Sequence, residues 1–216
     1  MDKFNHSTFS KDNTSFDFQN FKTSDKKKVW IEAFGCSANN ADAEIIKGML
    51  YENGYDLSYN RKDSDLTIIV TCAVKDATEH RMISKIKKYS KKPLIVAGCL
   101  PKTSEKLIES FSPNSSLLGP QSLDKTIDVV DACLNGKKIV ALEDSMSTKV
   151  NLPRMRLNPV VSIIEISSGC LSECSFCQTK LAKGSLKSYR IGEIVRQMED
   201  DVAANCKEIW LTSTDN

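Results

Sequence analysis

DLTIIVTCAVKDATEHRMISKIKKYSKKPLIVAGC, residues 65–99, carries the pattern on which the fold turns. DLTIIVT (65–71) is an apolar run rich in Ile, Val and Thr, the composition of a strand buried on both faces. DATEHRMISKIKKYS (76–90) is a helical stretch, and PLIVAG (93–98) is another buried strand. Strand, helix and strand in so short a span make a βαβ unit, which joins parallel neighbours. A cysteine stands at each strand exit, Cys72 and Cys99.

The pattern continues outward on both sides. Upstream, KVWIEAF (28–34) is a short strand, followed by Cys36 and a turn with helix-start chemistry. AEIIKGMLYENG (43–54) is an amphipathic helix with Ile45, Ile46, Met49 and Leu50 on one face, stopped by Gly54. Asn39, Asn40 and Asp42 either cap this helix or line a pocket beside Cys36. Downstream come a helix over TSEKLIESF (103–111), a strand at SLLG (116–119) and a helix over 122–137 ending at Gly136. Strands alternating with helices predict an α/β domain with a parallel sheet, residues 28–143. Residues 1–27 are polar and aperiodic, the composition of a disordered tail, in which Phe4, Phe9, Phe16, Phe18 and Phe21 are scattered. Residues 144–158, with Pro153 and no period, predict a linker. A second α/β unit, 159–216, opens with the strand PVVSIIEIS (159–167), continues with a helix over 191–206 and closes with a strand over 207–214.

Composition bounds the function. A net charge of +2 means that any nucleic-acid role must rest on local basic patches. No apolar run approaches the roughly 18 residues needed to cross a bilayer, and the first residues lack the apolar region of a secretory signal. A cytoplasmic address and no membrane partner are expected. In a reducing compartment the eight cysteines are more readily metal ligands or catalytic groups than disulfides.

Cys36, Cys72 and Cys99 all follow predicted strands. Strand C-termini of a parallel sheet lie along one edge, where α/β folds gather ligand sites, so three distant thiols can converge there. The plainer alternative is three small core hydrophobes. Cys133 and Cys206, on helix faces and ends, have structural positions. The stretch SSGCLSECSFCQTKLAKGSLKSYR (167–190) places Cys170, Cys174 and Cys177 in a C-x3-C-x2-C array directly after a strand. Structural zinc asks for four protein ligands, and a ferredoxin-type cluster for four cysteines. A cluster held by three thiolates, with one iron open to a ligand, needs no fourth. All three readings stand on spacing alone.

The array, with Phe176 before its last cysteine, resembles the radical S-adenosylmethionine (radical SAM) superfamily. GCLSECSFCQTKLAKGSLKSY is similar to the methylthiotransferases, in particular the archaeal and eukaryotic class acting on N6-threonylcarbamoyladenosine in tRNA. IEAFGCSANNADAE, TCAVKDATEHRM, AGCLPK and LLGPQSLDKTIDVVDACLNG resemble that family's amino-terminal motifs, so the likeness covers residues 28–216. It implies an amino-terminal methylthiotransferase domain followed by the first βαβ unit of a radical SAM, TIM-like partial barrel. It also implies two 4Fe-4S clusters, one on Cys170, Cys174 and Cys177 that binds SAM, and one on Cys36, Cys72 and Cys99 that carries the sulfur. Beyond the cluster ligands no catalytic side chain is implied. Phe176 would lie near the SAM adenine, or else pack as an ordinary aromatic.

The implied reaction places a methylthio group at C2 of the modified adenosine beside the anticodon, and it calls for an electron donor and a sulfur donor. For the tRNA, Lys180, Lys183, Lys187 and Arg190 are the candidate phosphate contacts, with Arg154 and Arg156 in the linker also basic. SKIKKYSKK (84–92) is better explained as a solvated helix face. The family's barrel has more βα units than this chain offers, and its carboxy-terminal RNA-binding domain has no counterpart here. A truncated portion, inactive by itself, is therefore expected. The competing readings are a non-catalytic zinc- or iron-binding module and a degenerate fragment.

Overall fold

The computed structural model describes residues 26–73, 76–144, 148–150 and 152–214. The predicted tail up to residue 25 lies outside them. In chain order the elements are β1 (Lys28–Ala33), α1 (Ser37–Glu52), β2 (Asp56–Leu57), β3 (Leu66–Thr71), α2 (Asp76–Tyr89), β4 (Leu94–Gly98), α3 (Cys99–Phe111), β5 (Ser116–Leu118), α4 (Thr126–Leu134) and β6 (Val140–Ala141). The second unit holds β7 (Val161–Glu165), β8 (Ser167–Ser168), α5 (Gln178–Lys183), β9 (Lys187–Ser188), α6 (Ile191–Ala203) and β10 (Glu208–Thr212).

The first sheet is six-stranded, in the order β2-β1-β3-β4-β5-β6, with every pairing parallel. Side chains alternate across a strand, and the apolar runs split accordingly. Ile68, Val70, Ile95, Ala97 and Leu118 face one core with Ile45 and Leu50 of α1 and Val129 and Val130 of α4. Ile69, Leu94, Val96 and Leu117 face the other with Ile86 of α2 and Ile108 of α3. Helices thus cover both faces, which is why the central strands are apolar throughout rather than alternating.

The second unit is smaller. β7 and β10 pair in parallel, and α6 is the helix between them. β8 and β9 form a short antiparallel ribbon, Ser167 opposite Ser188 and Ser168 opposite Lys187. β7 packs on α1, so α1 lies between the six-stranded sheet and the second unit. This explains why the helix is buried on more than its apolar face. Ala41, Asp42, Glu44 and Gly48 are buried along with Ile45, Ile46, Met49 and Leu50.

Three sequence expectations change. α1 begins at Ser37 rather than near residue 43, and α3 begins at Cys99, directly on its strand, rather than at Thr103. Its one non-helical residue is Ser104, which kinks it. Residues 144–158, expected as a linker, include ordered and buried positions. Lys149 and Val150 are buried, Met155 N donates to Glu44 O at 2.9 Å, and Leu157 N donates to Glu44 Oε1 at 2.8 Å. No helix among the described residues is long and apolar enough to cross a membrane.

Ile69 is fully buried on β3, so Ile69→Ala should cost about 2–5 kcal/mol of stability, read as a lowered urea midpoint.

Candidate metal centre

The first trio of thiols follows from strand order. β1, β3 and β4 are adjacent, so their exits stand side by side at a strand spacing of about 4.8 Å. Cys36 is the N-cap of α1 and exposed, Cys72 lies just beyond β3 and is buried, and Cys99 opens α3 and is buried. Gly35 has φ +111°, and a Cβ there would stand 2.7 Å from both the Cys72 Cβ and Asn39 Nδ2. Only glycine allows both the conformation and the approach of the Cys36 turn to Cys72.

Asn39 does not cap α1, whose N-cap makes no side-chain hydrogen bond. Its amide instead donates to Phe34 O at 2.6 Å and Thr71 O at 2.9 Å, tying the exits of β1 and β3 together. Thr71 extends the tie: its hydroxyl donates to Ala97 O at 2.6 Å and accepts from Leu100 N at 3.3 Å. Burial pushes the Cys99 thiol up to about 12. Lys183 opposes the rise, while Asp42, Cys72 and Cys36 add to it, so the three thiols share one electrostatic neighbourhood. Such a thiol keeps its proton until a metal displaces it.

The second trio sits on the loop that the β8–β9 ribbon closes at its base. Cys170 N donates to Gly184 O at 3.2 Å, and Cys177 N to Cys174 O at 3.1 Å. Gly169 has φ +83°, and a Cβ there would collide with Ser185 O. Two backbone N–H groups point at sulfur, Ser172 N at Cys170 Sγ (3.3 Å) and Lys180 N at Cys177 Sγ (3.4 Å). Phe176 is 85% exposed, so it is not a packed core aromatic in this structure. Among the described residues no three His, Cys, Asp or Glu side chains are gathered as for a single metal ion. A cubane spreads its three thiolates over three irons and asks for a wider arrangement. Each trio supplies the three thiols that a cubane with one open iron would take, and hydrogen bonds to sulfur such as those in the second trio adjust a cluster's properties.

The two groups meet along one seam. α3, which begins at Cys99, packs on α5, whose N-cap is Cys177, and Cys99, Ala73 and Ala182 form one buried cluster. The Ser37 and Thr212 hydroxyls are 3.3 Å apart, and Gln121 Nε2 donates to Ser168 Oγ (2.8 Å) and Lys183 O (3.0 Å). Behind the cysteines runs a line of buried charges. Asp42 of α1 pairs with Lys149 at 2.8 Å, Lys149 with Glu165 at 2.9 Å, and Glu165 with Lys183 at 2.7 Å. Burial alone would raise the Glu165 carboxyl, but Lys149 and Lys183 outweigh it and hold it down to about 2. Burial would lower Lys149, yet Asp42 and Glu165 drive it well above the ordinary lysine value. For Asp42 burial prevails over Lys149 and the carboxyl is raised.

These contacts correct several sequence expectations. Lys183 is 5% exposed and ion-paired with Glu165, so it is an interior counter-ion and no phosphate contact. Arg154 donates to Ile163 O and Lys149 O, and Arg156 to Asp201 Oδ1 and Ala204 O, so both linker arginines serve the interior. Lys180 donates to Cys170 O at 2.6 Å and pairs with Glu173. Arg190 is exposed and Lys187 half-buried. Lys85 pairs with Glu32, as a helix-face lysine does. Cys133 and Cys206 are buried against backbone carbonyls of Leu94 and of Val160 and Glu208. Lys149 and Glu165 carried no functional reading in the sequence. The available signal was a glutamate ending the apolar run VSIIE.

Comparison with solved structures agrees with this architecture. The chain superposes on the radical SAM methyltransferase TsrM from Kitasatospora setae with tryptophan substrate and a SAM analogue bound, at TM-score 0.57 and 12% identity, covering 88% of this chain and 48% of that one. A second TsrM structure, with cobalamin and a [4Fe-4S] cluster bound, gives TM-score 0.58. The fold is therefore shared with about half of TsrM. In sequence, residues 28–119 match the model described as "Uncharacterized protein family UPF0004". A "Probable threonylcarbamoyladenosine tRNA methylthiotransferase" of Methanothermobacter thermautotrophicus is 41% identical over 87% of this chain and 45% of its own length. The "Threonylcarbamoyladenosine tRNA methylthiotransferase" of Homo sapiens is 34% identical over 88% of this chain and 34% of its own length. The chain spans less than half the length of these relatives.

Two outcomes are expected. Gly169→Ala should displace the cysteine loop, seen as faster alkylation of Cys170 and Cys177 by iodoacetamide in the metal-free chain. Glu165→Gln leaves two buried lysines short of a partner and should cost about 3–5 kcal/mol. The sign of the pH dependence follows from a depressed carboxyl: Glu165 stabilises above its ordinary value of 4.5, and this is lost as pH falls toward about 2. Urea denaturation at successive pH values should show that acid loss in the wild type and a smaller one in the variant.

Proposed function

We propose that this chain is part of a tRNA methylthiotransferase acting on N6-threonylcarbamoyladenosine, with Cys170, Cys174 and Cys177 holding one 4Fe-4S cluster and Cys36, Cys72 and Cys99 another. The observation that carries the reading is the seam itself. One member of each trio, Cys99 at the start of α3 and Cys177 at the N-cap of α5, stands on a helix, and these two helices pack on each other. When bound, the clusters and SAM supply radical generation at the second trio and a sulfur to be inserted at the first.

The chain's own residues have definable tasks in this scheme. Ser172 and Lys180 donate N–H groups to the Cys170 and Cys177 sulfurs and orient them. Lys180 Nζ fixes the Cys170 carbonyl and so the first turn of the loop. Asn39 and Thr71 hold the three strand exits in register, while burial keeps water from Cys72 and Cys99. Phe176, exposed beside Cys177, offers a ring face for an adenine. Arg190 offers a phosphate contact next to the loop, and the names of the relatives support tRNA as its partner.

Anaerobic reconstitution tests the reading. About eight irons with matching labile sulfide are expected per chain, falling by about four in Cys36→Ala/Cys72→Ala/Cys99→Ala. One tightly bound zinc without labile sulfide would support a zinc module instead and sink the proposal.

A further inference from the structure

The line of charges Asp42–Lys149–Glu165–Lys183 joins α1, the connecting segment, β7 and α5. Its four side chains are 2–6% exposed and alternate in sign, two carboxylates with two ammoniums. Buried ion pairs are commonly no more stabilising than apolar residues of the same volume, so what they fix is geometry. Here the geometry is specific. α1, which carries Asp42, has Cys36 as its N-cap, and α5, which ends in Lys183, has Cys177 as its N-cap. Glu165 ends β7, the strand that packs on α1, and Lys149 reaches into the contact from the connecting segment.

An apolar contact between a helix and a strand tolerates sliding. Displacing α1 along β7 by one turn would part Asp42 from Lys149 and leave both charges buried alone. Gln121 crosses the same seam independently, binding Ser168 at the base of the cysteine loop and the Lys183 carbonyl.

We propose that this four-residue ion line is a positioning element that fixes the first cysteine trio relative to the second, with Lys149 as its central member. The proposal rests on the two-cluster reading above. None of the four residues is a cluster ligand; each acts through the helix or strand that carries it.

The experiment compares reconstituted wild type with two charge-balanced variants, Asp42→Asn/Lys149→Met and Glu165→Gln/Lys183→Met. Each removes one negative and one positive charge, so neither leaves a lone buried ion from the deleted pair. Iron and labile sulfide are counted, and the reduced proteins are examined by electron paramagnetic resonance, because coupling between two paramagnetic clusters depends steeply on their separation and orientation. A second readout needs no metal: acetylation of Lys183 in the metal-free chain by acetic anhydride, followed by peptide mass spectrometry on wild type and Asp42→Asn/Lys149→Met.

The expected result is wild-type iron and sulfide in both variants, with the coupled wild-type spectrum replaced by two independent signals. Lys183 acetylation should rise about tenfold or more in the first variant. Full iron content with an unchanged coupled spectrum, or a Lys183 that stays protected, overturns the positioning role alone. A variant that loses iron from either trio shows a folding role and overturns it as well. Wild-type protein that binds a single cluster overturns the two-cluster reading, and the proposal with it.

Discussion

Two lysines and two carboxylates taken out of water at one seam constrain the rest of the molecule. An uncompensated charge in that position would cost several kcal/mol, so each must meet a partner of opposite sign. Lys149 meets both Asp42 and Glu165, and Lys183 meets Glu165. Those meetings go with α1 between the two sheets, Met155 and Leu157 bonded to its Glu44, and α5 joined to β7 through Lys183 and Glu165. Across the seam these ion pairs act together with the Ala73–Cys99–Ala182 cluster and the Gln121 hydrogen bonds.

The thiols inherit their places from this arrangement. In the first domain, three adjacent parallel strands bring Cys36, Cys72 and Cys99 to one edge, and Asn39 and Thr71 lock the strand ends. In the second unit the cysteines ride on a loop whose backbone N–H groups already face two of the sulfurs. The packing of α3 on α5 then brings the two local arrangements side by side.

The sheet was legible in the sequence because DLTIIVT and PLIVAG are apolar on both faces, and only a strand between two helix layers needs that. The helix starts were less so. Ser37, Asn39 and Asp42 look like turn or capping residues, but in the fold Asn39 ties two strand exits while Ser37 and Asp42 meet Thr212 and Lys149. Pro101 is tolerated in a first turn, so α3 runs from Cys99 although its pattern becomes evident only near Thr103. α5, six residues long, is too short to show a period. The thiol positions could be read from strand exits, but the ion line could not. Asp42 and Lys149 are 107 positions apart, and nothing local to either signals that they meet. For the same reason Lys183, basic and next to the cysteines, looks like a phosphate contact until its depth is known.

The β8–β9 ribbon has a thermodynamic consequence for metal binding. Bringing three ligands together on a free chain costs the entropy of closing every loop between them. Here Ser167 and Ser168 are already paired with Ser188 and Lys187, so the segment carrying Cys170, Cys174 and Cys177 is a tethered ring before any metal arrives. Folding has already closed the outer loop, so a metal bound there would have only the ring's remaining freedom to order.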